Sequence, residues 1–224
     1  MHSRAKAPCV FLLIAVWSLP VCAAAEEFQP RVRLELLLTT APSLSEAART
    51  AMMMEAAAIW ETHGVAIDWL SPSPARPPAP HRLRVLVIEG RPSGTHRNEA
   101  FTVGELVRPS KGHAMAMMSI ESAQRLLTSV RGRAGYDLVA VDPRRLGLVL
   151  GRALAHEIGH YLLETPTHAR DGLMRPKFNA LEFTDFRVRT FMLDQPASEW
   201  LKARLDPSVT SGPAVEPSRF EYSR

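Results

Sequence analysis

Residues 142–164 constrain this chain more than any other stretch. Asp142-Pro143 is a helix start, with Asp at the cap and Pro at the first helical position. Pro166 disfavours helical backbone at Thr165, so the spacing predicts a helix running to about Glu164. Its flanks (Leu154, Ala155, Ile158, Tyr161, Leu162) are apolar enough to bury most of it. Inside it stands His156-Glu157-Ile158-Gly159-His160. Positions four apart share a helix face, so two imidazoles there can bind one metal ion. A buried imidazole pair without a partner would be costly, which argues against plain packing residues. Glu157 lies about 100° round the helix from His156, where it reaches a metal's water rather than the metal. With 8 histidines in 224 residues, chance supplies such a quintet only roughly 0.02 times per chain of this composition.

A catalytic zinc needs three protein ligands and an open fourth position. His168 is the nearest third candidate, eight residues beyond His160 and just past the expected helix end. A chain reversal at Thr165-Pro166 would bring it back under the metal; Asp171 and Glu182 are the alternatives. Six residues beyond His168, Met174 sits in Asp171-Gly172-Leu173-Met174-Arg175-Pro176, where Gly and Pro make a tight turn.

Over residues 153–176 the chain resembles the metzincin clan of zinc metalloproteases. In that clan a His-Glu-x-x-His helix leads through a glycine turn to a third His and a methionine turn beneath the metal. The resemblance implies His156, His160 and His168 as zinc ligands, Glu157 as general base, and Met174 as the Met-turn residue. It differs from the clan at two places: Leu163 stands where the clan has Gly, and the third His comes two residues later than usual. No tyrosine follows Met174 closely.

The remainder of the chain reads as alternating strands and helices. Residues 31–40 suit a strand, 44–63 an Ala- and Met-rich helix ending at Gly64, and 65–70 a short strand. Residues 71–80 hold five prolines and read as an exposed loop. Strands are expected at 82–88, 113–120 and 136–141, helices from Ser119 or Ser122 to Val130 and over 184–193, and a loop over 91–112. The expected fold is α/β, or α+β in the zincin manner. It comprises a mixed, mostly parallel twisted sheet with an antiparallel edge strand, a long active-site helix and a small C-terminal helical subdomain. Residues 113–120 are the expected edge strand, which could pair with an extended peptide substrate.

Residues 1–25 read as a secretory signal peptide: basic Arg4 and Lys6, an apolar run from Cys9 to Leu19, and small residues Ala23-Ala24-Ala25. Residues 26–205 then form one zinc metalloprotease-like domain, and 206–224 a disordered tail rich in Pro, Ser and Gly. Both cysteines, Cys9 and Cys22, lie in the leader, so the exported chain has neither disulfide nor thiolate site. Without the leader, 25 basic and 23 acidic residues remain, a net charge of only +2. With no basic stripe and no interleaved aromatics, nucleic acid is not an expected partner, nor is a membrane once the leader is gone. His63, His81, His96 and His113 are scattered and read as surface residues. The expectation is a secreted or periplasmic zinc endopeptidase acting on a peptide or protein. The alternative is an exported, zinc-stabilised binding protein without catalysis.

Overall fold

A computed structural model of the chain describes residues 32–71, 80–91, 102–110, 112–134, 142–178, 180–184 and 191–205. The segments read as leader (1–25), tail (206–224) and strand 136–141 lie outside these, as does most of the proline-rich 71–80 loop.

Strand β1 (Val32–Thr40) leads into helix α1 (Glu46–Glu61), followed by β2 (Val65–Leu70) and β3 (Arg82–Ile88). Next come β4 (Gly104–Val107), β5 (Met115–Ser119), α2 (Ile120–Ala134) and the long α3 (Pro143–Leu162). Two further helices close the described chain, α4 (Ala180–Thr184) and α5 (Gln195–Leu205). The five strands form one sheet in the order β2-β1-β3-β5-β4. All its pairings are parallel except β4 with β5. The architecture is thus mixed α/β with a mostly parallel sheet, as the alternation of strand and helix patterns implies.

The pleat separates the two faces of this sheet. Leu34, Leu36, Leu83, Val85, Val87, Ala116 and Met118 enter the core with α1 and α3, whereas Arg33 and Arg84 at alternate positions are exposed. From α1, Ala48, Met52, Ala56, Ile59 and Trp60 are buried. Helix α3 approaches α1 backbone to backbone, and glycines make that possible. A Cβ on Gly147 would lie 2.3 Å from the Ala48 carbonyl oxygen, and one on Gly151 would lie 2.7 Å from that of Met52. Local chemistry sets both helix starts: the Ser45 hydroxyl accepts from Ala48 N–H, and the Asp142 carboxylate accepts from Arg144 N–H.

Three expectations need correcting. The antiparallel edge strand is β4, inside the expected 91–112 loop; residues 115–119 instead form an interior strand parallel to β3. Four residues opening with Gly and Glu carry no strand pattern of their own, and pairing with β5 holds them extended. The helix expected over 184–193 is not continuous to its end: α4 stops at Thr184, and Leu193 lies outside any helix, with 185–190 outside the described residues. Helix α5 was not expected at all, although Asp194 caps it by accepting from Ala197 N–H at 3.0 Å, with Pro196 in its first turn. That signal is the same Asp-and-Pro cue that marks α3.

Candidate metal centre

Helix α3 carries His156 and His160 one turn apart, and their Nε2 atoms lie 3.1 Å from each other. The chain then reverses. Leu163 ends the helix, and Glu164 takes the left-handed backbone conformation, φ 50°. A non-glycine residue therefore makes the turn. Thr165 O accepts from His160 Nδ1 at 2.8 Å, and the Thr165 hydroxyl accepts from Thr167 N–H. This path returns His168, whose Nε2 stands 3.3 Å from that of His160.

The ligand atoms of His156, His160 and His168 all lie within 4.8 Å of one another. For two of the rings the tautomer follows from the other nitrogen. His156 Nδ1 lies 2.7 Å from the Leu173 carbonyl oxygen and His160 Nδ1 2.8 Å from that of Thr165. A carbonyl can only accept, so each Nδ1 carries the hydrogen and each Nε2 presents its lone pair. Lone pairs converging at these distances repel unless a cation lies among them. The three histidines can hold a metal ion, and the carbonyls behind them fix ring orientation as second-sphere partners do.

The other candidates are placed elsewhere. Glu182 pairs with Arg175 at 2.9 Å, and Asp171 is exposed at the tip of the turn. Met174 is 2 % exposed and lies directly beneath α3: a Cβ on Gly159 would fall 2.2 Å from its sulfur. Its backbone carbonyl accepts from Ala169 N–H at 2.8 Å, tying the turn to the residue after His168. The turn thus supports His156 through Leu173 and His168 through Met174.

Glu157 is 7 % exposed and faces β4. Leu106 N–H donates to its carboxylate, and a Cβ on Gly104 would lie 3.2 Å from its Oε1. Burial pushes the Glu157 carboxyl up to about 8, the Leu106 hydrogen bond opposes this, and nearby Glu105 adds to it. A cation held by its neighbours in α3 would favour the ionised form. Arg108, just beyond β4, donates to the His160 carbonyl oxygen at 2.5 Å and so fastens the edge strand to the end of α3.

Gly104, Arg108 and Gly159 escaped the sequence reading. Only Gly159 left a signal there, lying eight residues past Gly151, itself four past Gly147, on one helix. His63, expected on the surface, is half-buried, with its Nε2 accepting from Leu193 N–H at 3.2 Å.

No family model and no curated protein matches this chain. Burial lowers all three histidines below their ordinary value, His156 to about 4. Because the fold favours the neutral ring, the metal-free protein has this stability in full above the unfolded value of about 6.5. It loses that stability as pH falls from 6.5 toward 4. Glu157, pushed up to about 8, gains stability over the same fall in pH and opposes this. The histidine effect is therefore read in metal-free Glu157→Gln protein: its thermal melts should shift down between pH 7.5 and 5, and a flat profile there would contradict neutral, buried rings. Metal release should follow the same direction, since only neutral imidazole binds.

Proposed function

We propose that this protein is an exported zinc-dependent endopeptidase, with His156, His160 and His168 as the zinc ligands and Glu157 as general base and then acid. One observation carries the reading. Three imidazole nitrogens converge at 3.1 and 3.3 Å, and Glu157 follows the first of them in α3. Two ligands on a tetrahedral zinc are about 3.3 Å apart when each Zn–N bond is about 2.0–2.1 Å, so the two separations from His160 suit that ion. Three protein ligands also leave a coordination position open, as catalysis requires. Bound zinc supplies Lewis acidity, the property that polarises a carbonyl and makes water acidic.

The chain's own residues do the rest. The Glu157 carboxylate takes a proton from the attacking water and later passes it to the leaving amine nitrogen. Leu106 N–H orients that carboxylate, and burial keeps bulk water from competing for the proton. The neighbouring strand supports a peptide as the substrate. Among the described residues β4 has no strand beyond it, so its outer edge can pair with an extended peptide, with little demand on side chains. Export is supported by the leader-like composition of residues 1–25.

A second reading, a zinc-stabilised binding protein without catalysis, is favoured by the lack of a tyrosine soon after Met174 and by the depth at which Glu157 is buried. One experiment separates the two. Purified protein should carry one zinc per chain and cleave an unfolded substrate such as casein, with activity abolished by 1,10-phenanthroline and restored by zinc. Stoichiometric zinc with no cleavage of any peptide library would favour the binding protein; absence of zinc would remove both.

A further inference from the structure

The end of α1 reaches His156 by two routes, and only one of them runs through a side chain of ordinary packing type. Trp60 Nε1–H donates to the Ala155 carbonyl oxygen at 3.1 Å, steadying the backbone just before the ligand. The second route begins at His63, three residues further on. His63 Nε2 accepts from Leu193 N–H at 3.2 Å. On the other side of that same peptide unit, Met192 O accepts from Leu173 N–H at 2.6 Å. The Leu173 carbonyl in turn accepts from His156 Nδ1 at 2.7 Å. The geometry points to His63 as a positioning residue for the metal centre, acting through the 191–194 segment and the Met174 turn to aim the His156 ring.

Several features make this relay stiff. Gly172, at φ +75°, lets the turn lie against the segment so closely that a Cβ would sit 2.4 Å from Met192 O. Leu193 is 7 % exposed, so its N–H has no ready access to water if His63 is lost. The Thr62 hydroxyl approaches the Met192 sulfur at 3.4 Å, adding a second contact from the same helix end. The His63 ring packs edge-on to Trp60, with centroids 5.8 Å apart. Burial and the charge of Lys202 keep it neutral, with its acid form appearing only at about pH 4. It is therefore an acceptor at Nε2 throughout the neutral range. If the acceptor is removed, Leu193 N–H must move to find another partner. Met192 O then moves with it, and the Leu173 peptide turns away from His156.

This role rests on the three-histidine metal reading, and the test keeps the two apart. Zinc affinity is measured on the full chain, well below its melting temperature, by competition with a chromophoric chelator. His63→Gln keeps an oxygen near the Nε2 position and should bind within about twofold of wild type. His63→Asn is equally polar but falls short of Leu193 N–H, and should bind about tenfold more weakly, the low end for outer-sphere partners. His63→Leu should lose at least as much. A purely structural role would lower the melting temperature of both amide variants without separating their affinities. Equal zinc affinity in wild type, His63→Gln and His63→Asn would overturn the relay alone. Wild type without zinc affinity would overturn the metal centre and this role with it.

Discussion

Glu157→Gln is expected to lower kcat/KM on a peptide substrate by about 10³-fold, within the usual range for removal of a general base, while leaving zinc content unchanged. The substitution keeps size and shape, so the contact with Gly104 and the hydrogen bond from Leu106 N–H can both survive. What it removes is the ability to accept and return a proton. Stability should hold or rise, because a neutral amide replaces a carboxyl that burial already pushes toward its protonated form. The zinc ligands lie on different residues, so metal analysis should match wild type. Paired measurements of zinc content, melting temperature and peptide cleavage check this, and full activity in the variant would take the base role from Glu157.

The largest stability effect is expected at Arg152, which is fully buried in the middle of α3. Its Nε donates to Glu55 of α1 at 2.7 Å, and its Nη1 donates to the Glu182 and Phe183 carbonyls of α4, both at 2.9 Å. The guanidinium also lies 4.4 Å from the centre of the Phe191 ring. One cation thus joins the two core helices to α4 and to Phe191. Arg152→Met takes the guanidinium away from a mostly buried carboxylate and two carbonyls, a loss of about 3–5 kcal/mol for a broken buried pair. For a domain of this size that corresponds to a fall in melting temperature of roughly 10 °C. Adding Glu55→Gln should recover part of it, because the unpaired charge rather than the missing arginine dominates the cost. A single variant as stable as wild type would show that Arg152 does not hold these elements together.

Much of this was legible in the sequence, and what was not has physical reasons. The apolar runs at 32–40, 65–70 and 82–88 declare themselves as strands because both their composition and their bounding residues agree. Helix α3 is readable from its cap and from Pro166, and the metal-ligand pair from a spacing that only a helix makes meaningful. His168 was harder. Its return depends on Glu164 adopting a backbone conformation that its residue type disfavours, which no local pattern announces. Strand β4 is held by pairing with β5 and by contacts with α3, all distant in sequence, and the value of Gly104 lies in a side chain 53 positions later. Arg152 could not be told from a surface arginine, since its partners come from sequence-distant helices. His63 looked like a scattered histidine because its role depends on a segment 130 residues away.

The glycines of α3 have a further consequence for precision. At Gly147 and Gly151 the contact is with the carbonyl oxygens of α1, and at Gly159 with the end of the Met174 side chain. At the first two positions the helix is seated on backbone, which has no rotamers, so warming has few alternative packings to populate there. The histidines should therefore keep their spacing up to temperatures at which surface loops are already moving. Loss of metal on heating should then coincide with global unfolding rather than precede it.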